Sequence, residues 1–190
     1  MHRQSQRQYS LDDYFAVEET SGIRHEYFQG EIFAMAGASV KHNHITANVI
    51  TILRMALRQS ECSAFGSDLR VQTPRGLFTY PDVMVVCGQI QLIHGRPDTV
   101  TNPRVVIEVL SDATRAYDRG EKFELYKEIS SLREYLLIEQ DAVRVEHYHL
   151  SGTAWARQQF DSSESVVRLD SVSVELPLVE TYRQVFTQTV

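Results

Sequence analysis

Two stretches decide the fold of this chain: Tyr80-Pro81-Asp82-Val83-Met84-Val85-Val86 and Arg104-Val105-Val106-Ile107-Glu108-Val109-Leu110. Both are short apolar runs rich in Val and Ile, the composition of strands at the centre of a sheet covered on both faces. Asp82 stands at the mouth of the first run and Glu108 inside the second. An ionised glutamate is rarely buried without a partner, so Glu108 needs an explanation. Two carboxylates brought within ~4 Å repel by roughly 4 kcal/mol at an effective dielectric of 20, and a divalent cation between them turns that cost into binding. The pair therefore hints at a metal site.

Downstream of Glu108, Ser111-Asp112-Ala113-Thr114 opens a helix predicted over residues 115–128, with Ser111 and Thr114 as caps. In that helix Asp118, Lys122, Leu125, Tyr126 and Ile129 recur at helical spacing, which puts Asp118 and Lys122 on the core-facing side. Two readings of Lys122 stand. Its stem lies along the sheet while the ammonium reaches water, or the ammonium points back to Glu108, where it orients a water or stabilises charge on phosphorus. Asp118 either holds that amine or makes an ordinary pair with it one turn away. Tyr126 reads as core packing.

Upstream, Ser10-Leu11-Asp12-Asp13 predicts a capped helix over residues 11–19, and Gln29-Gly30 a hairpin between residues 24–28 and 31–35, with Glu26 on its first strand. Ile45, Val49, Ile52, Leu53, Ala56 and Leu57 give residues 41–59 the longest amphipathic helix, opened by His42-Asn43-His44. Residues 64–72, before the turn Thr73-Pro74-Arg75-Gly76, form a second hairpin candidate, and residues 88–103 read as a loop. Strands are predicted over 134–139, 143–149, 154–160 and 166–169, and a closing helix over 178–186. His147 and His149 share a strand face, read as exposed, with metal binding the alternative.

With 190 residues and 43% hydrophobic content, one core is expected: a single domain over residues 10–190 behind a flexible stretch at 1–9. No run reaches the ~20 apolar residues of a membrane span, and a soluble, cytoplasmic protein is expected. Cys62 and Cys87, far apart and in no paired-ligand spacing, suggest neither a disulfide framework nor a thiolate metal site, and Cys87 reads as a small buried hydrophobe. A net charge of −6 excludes a broadly basic coat for nucleic acid. A local set, Arg115, Arg119, Lys122 and Lys127 with Arg70 and Arg75 elsewhere, either contacts phosphates or forms ordinary solvated helix faces.

The combination of Tyr80-Pro81-Asp82-Val83, Val106-Ile107-Glu108-Val109-Leu110-Ser111, Thr114, Asp118-Arg119-Gly120-Glu121-Lys122, Tyr126 and Glu134-Tyr135, with His25-Glu26-Tyr27 and His42, resembles the Uma-type restriction endonucleases of the PD-(D/E)XK superfamily. The likeness runs from about Ser10 to Phe186. It implies an α+β fold with a restriction-endonuclease-like core: a mixed β-sheet flanked by helices, with an N-terminal helix and hairpin. Leu110 occupies the position of the superfamily's lysine, and the resemblance gives that role to Lys122, the residue that helical spacing reaches on its own. Gln29 departs from the acid usual before Gly30. The resemblance implies Asp82 and Glu108 as ligands of Mg2+ or Mn2+, with the Val109 carbonyl third, and Glu26 completing the acidic cluster. His42 either faces the pocket or is merely solvated. The activity implied is metal-dependent endonucleolytic hydrolysis of DNA, with a homodimer or higher homo-oligomer as the working assembly. The alternatives are a nucleic-acid-binding or assembly module that keeps the fold without turnover, and a hydrolase of smaller phosphate esters.

Overall fold

Helix α1 (Leu11–Thr20) begins at a capping box in which the Ser10 hydroxyl accepts from the Asp13 amide and the Asp13 carboxylate accepts from the Ser10 amide. In the computed structural model, which describes residues 8–35 and 37–186, it leads into the hairpin β1 (His25–Phe28) and β2 (Glu31–Ala34), turned at Gln29 and Gly30 with positive φ. The long helix α2 (Val40–Leu57) follows, capped by Ser39 and burying Ile45, Val49, Leu53 and Leu57. Strands β3 (Cys62–Gly66), β4 (Arg70–Gln72), β5 (Phe78–Thr79), β6 (Val83–Cys87), β7 (Leu92–Ile93), β8 (Arg96–Val100) and β9 (Val105–Leu110) lead to two short helices, α3 (Arg115–Arg119) and α4 (Glu121–Tyr126). Beyond them lie β10 (Glu134–Glu139), β11 (Val145–Ser151), β12 (Ala154–Phe160), β13 (Val166–Leu169), β14 (Val174–Pro177) and α5 (Leu178–Thr181).

The strands form two six-stranded mixed sheets, ordered β2-β1-β5-β4-β8-β7 and β12-β11-β10-β9-β6-β3, and a β13-β14 ribbon. The second sheet is the core. Its parallel pair, β9 with β10, is joined through α3 and α4, the crossover that parallel strands require. Every residue of β9 and β10 is buried, because both faces are covered. Alternate side chains of β6, β9 and β10 pack against α2, β13, β14 and α5 on one face, and against α4 with Phe123, Tyr126, Ile129 and Leu132 on the other. Glu108 belongs to the second face. A smaller aromatic cluster, Tyr14, Phe15 and Phe78 with Tyr27, packs α1 onto the first sheet.

Several expectations need correction. Cys62 and Cys87 form a disulfide: Cys62 on β3 stands directly opposite Cys87 on β6 in an antiparallel ladder, a proximity that separation along the chain conceals. The stretch 88–103 holds strands β7 and β8 rather than a loop alone. The helix predicted over 115–128 is broken at Gly120, whose φ of −108° and ψ of −105° leave the helical region, and a Cβ there would meet the Ala116 carbonyl oxygen at 3.1 Å. The closing helix ends at Thr181. His147 is 4% exposed rather than on an open face, and its Nε2 lies 2.6 Å from Glu134 Oε2. Of the stretch 1–9, residues 1–7 lie outside the described residues, and the Tyr9 amide donates to the Gly30 carbonyl at 2.8 Å. No helix among the described residues is long and apolar enough to cross a membrane.

Candidate active site

The ladder between β6 and β9 ends at Val83 opposite Ile107, and one step beyond it the facing residues are Asp82 and Glu108. Pro81 has no amide hydrogen to continue the pairing, so β6 starts after it and the Asp82 side chain turns into the sheet end. There Asp82 Oδ2 accepts from the Val109 amide at 2.7 Å, and the Asp82 amide lies 3.3 Å from Glu108 Oε2. The two carboxylates are thus tied to each other's strands.

Lys122 closes the site from α4. Its Nζ lies 3.0 Å from Glu108 Oε1, 3.0 Å from Glu26 Oε1 and 3.4 Å from Asp118 Oδ1. Glu108, Asp118 and Lys122 are each at most 5% exposed. The break at Gly120 does not separate Asp118 from Lys122, which still share one side across the two helices. Glu26 arrives from β1 and accepts from the Thr79 hydroxyl. Tyr126, read from sequence as packing, is fully buried and also donates to Glu108 Oε1 at 3.0 Å. His42, on the first turn of α2, faces the site: its Nε2 lies 3.1 Å from Asp82 Oδ2. Ser111 and Thr114 cap only loosely: the Thr114 amide reaches the Ser111 hydroxyl at 3.3 Å, and Thr114 makes no side-chain cap bond.

Electrostatics follow from burial and an excess of acid. Desolvation pushes the Glu108 carboxyl up to about 8 against the pull of Lys122, and it raises Asp118 above its ordinary value in the same way. Burial disfavours the Lys122 ammonium, but Glu108 and Glu26 outweigh it and hold Lys122 well above the usual lysine range. His42 is raised as well, the hydrogen bond and charge of Asp82 overcoming burial. His42 Nδ1 is buried without a hydrogen-bond partner, and Asp118 Oδ1, also buried, has only the 3.4 Å ion pair with Lys122. Four carboxylates, Glu26, Asp82, Glu108 and Asp118, therefore surround one lysine and one histidine. Among the described residues no three His, Cys, Asp or Glu side chains form a ready-made metal cage. Two carboxylates with a backbone carbonyl nevertheless suit Mg2+, which keeps several waters and takes few protein ligands.

The wider basic set does not gather. Arg70 is buried, pairs with Asp98, and stacks within about 5.3 Å of the Tyr14, Phe15 and Tyr80 rings. Arg115 and Arg119 are engaged by Glu139, and Arg119 also by Glu146. Sequence reasoning missed Glu18, Thr79 and the Tyr80 hydroxyl, which bind the site's supports. The triplet His25-Glu26-Tyr27 was the signal for that region, and its spacing gave no sign of partners on α1.

The model of the Uma2 family, described as "Putative restriction endonuclease", matches residues 11–179. Two proteins of Synechocystis sp. are similar to the chain. The uncharacterized protein sll1609 is 38% identical over 141 residues, 74% of this chain and 80% of its own length, and the uncharacterized protein slr1290 is 34% identical over 178 residues, 92% and 91% respectively. The crystal structure of a putative nuclease belonging to DUF820 from Anabaena variabilis ATCC 29413 has a TM-score of 0.73 to this chain at 19% identity, covering 91% of this chain and 97% of that one. At that identity the likeness speaks for the fold.

Proposed function

Because this chain belongs to the Uma2 family of restriction-endonuclease-like proteins, we propose that it is a metal-dependent endonuclease that hydrolyses DNA phosphodiester bonds. One observation carries the reading: Asp82, Glu108 and Lys122, distant along the chain, converge at one sheet end with Glu26 beside them. A structural salt bridge needs one acid for one base. Here the acids outnumber the bases in a buried place, a cost that makes sense where a cation is to be bound.

Asp82, Glu108 and the Val109 carbonyl would hold Mg2+ or Mn2+. The Val109 amide points at Asp82, and in a strand the carbonyl of the same residue faces the same side, which supports that assignment. When bound, the ion supplies Lewis-acid stabilisation of charge on the phosphoryl oxygen. Lys122, kept protonated by its carboxylates, orients the attacking water and stabilises the developing negative charge by its ammonium, so it acts as a cation rather than a base. Asp118 and Tyr126 hold Lys122 and Glu108 in place, and His42 fixes Asp82 from α2. Cutting both strands of a duplex suits a twofold homodimer, in which each copy presents one site.

The test is nicking of supercoiled plasmid in Mg2+ or Mn2+. Asp82→Ala and Glu108→Ala each abolish cleavage, and Lys122→Ala keeps Mn2+ affinity while turnover is lost. Cleavage that survives both carboxylate changes removes the assigned site.

A further inference from the structure

Behind the site, α1 carries a carboxylate that none of the roles above uses. Glu18 is 6% exposed at its side chain, and its two oxygens are divided between two segments. Oε1 accepts from the backbone amide of His25 at 2.9 Å and faces His25 Nδ1 at 2.9 Å, while Oε2 accepts from the Tyr80 hydroxyl. Burial and the bond to Glu18 raise the Tyr80 phenol far above its ordinary range, so the proton stays on the tyrosine and Glu18 is the acceptor.

The positions of these partners give the contact its meaning. His25 immediately precedes Glu26, and Tyr80 lies between Thr79, which donates to Glu26, and Pro81-Asp82. The strands that bring these segments side by side, β1 and β5, share a single register pair, Tyr27 with Phe78. One pair fixes neither the shift nor the tilt of one strand against the other. Besides the Thr79–Glu26 bond, the Glu18 bridge supplies a further attachment at the site end, and the Tyr14 hydroxyl ties α1 itself to β1 by donating to the His25 carbonyl at 2.9 Å. The Arg70 guanidinium, stacked on Tyr80, Tyr14 and Phe15, holds the same tyrosine ring from its face.

We propose that Glu18 is a positioning residue of the active site, setting Glu26 and Asp82 in register by bridging His25 and Tyr80. The catalytic part of this inference rests on the endonuclease reading, whereas the geometric part does not. Partners that orient metal ligands are worth about 10- to 100-fold in affinity or activity, and displacements near 1 Å have similar effects.

Three measurements on the full chain test it: plasmid cleavage kinetics, Mn2+ affinity by calorimetry, and amide hydrogen exchange in metal-free protein. Glu18→Ala is expected to lower kcat by about 10- to 100-fold with KM within about 3-fold, and to weaken Mn2+ binding. It also speeds exchange of the Val109 amide, which is bonded to Asp82, by about 10-fold while Leu137 in β10 stays protected. Glu18→Gln, which still accepts from His25 and can donate to the Tyr80 oxygen, restores all three to within about 3-fold. A merely stabilising residue would lower Tm and leave kcat, Mn2+ affinity and Val109 exchange unchanged in folded protein, and that result overturns the proposal. If Glu18→Ala does not fold, Tyr80→Phe removes one arm of the bridge and keeps the ring over Arg70; unchanged Val109 exchange in that variant overturns it equally. If wild-type protein cleaves nothing with any metal, the endonuclease reading falls and Val109 exchange alone decides the role of Glu18.

Discussion

Two charged clusters flank α3 on the same face of the core sheet, and they are built to opposite specifications. On one side Glu26, Asp82, Glu108 and Asp118 crowd Lys122 and His42. On the other, Glu139 and Glu146 are held by Arg115, Arg119 and Arg157, so that each carboxylate oxygen has an arginine. The titration directions part accordingly. Glu146 is lowered despite its burial, because Arg119, Tyr148 and Arg157 bind its charged form, whereas burial raises Glu108 and Asp118. Carboxylates met at each oxygen by an arginine stabilise the fold, whereas a cluster in which acids outnumber cations keeps excess negative charge for a ligand.

The largest expected break in that comparison is Lys122→Met. It leaves the buried Glu108 and Asp118 and the partly buried Glu26 facing one another with no ammonium between them, and a loss of about 3–5 kcal/mol is expected in urea unfolding at pH 9, above the value of about 8 at which Glu108 titrates. The loss shrinks on acidification, as Glu108 and Asp118 take up protons. Arg119→Met, the matching deletion across α3, is expected to cost only about 1 kcal/mol, since Glu139 keeps Arg115 and Glu146 keeps Arg157. Plasmid cleavage in that variant stays within about 3-fold of wild type, because Arg119 touches none of the site carboxylates. Equal losses in the two variants would mean that the clusters do the same work.

A further test lies in the pH profile of stability, measured without metal. Glu108 has a folded value raised above its unfolded one, so its contribution is present below about 4.5 and is lost as pH rises through about 8. Glu146 has a lowered folded value, so its contribution is present above its ordinary carboxylate value and is lost as pH falls below it. Glu108→Gln should therefore flatten the decline between about pH 4.5 and 8, and Glu146→Gln should flatten the acid limb alone. A decline that persists unchanged in Glu108→Gln would show that another group causes it.

How legible each part was depended on whether its signal was local. Valine-rich runs around Asp82 and Glu108 marked buried strands, because burial on both faces dictates composition residue by residue. Helical spacing brought Asp118 and Lys122 to one side, and that held across the break at Gly120, which no periodicity reports. Tyr126 and His42 were named, but neither their bonds to Glu108 and Asp82 nor the burial of His147 against Glu134 follows from spacing.

By itself, then, the sequence determined the elements near the site, the family, and the three residues to watch, since backbone periodicity and apolar composition are short-range properties of the chain. Only the tertiary structure decided that β1 and β5 meet by a single pair, that Glu18 bridges them, that Cys62 faces Cys87, and that the arginines turn to Glu139 and Glu146. Those outcomes depend on which strand lies beside which, and strand order is set by burying the whole apolar surface at once, a global minimum that no local stretch encodes.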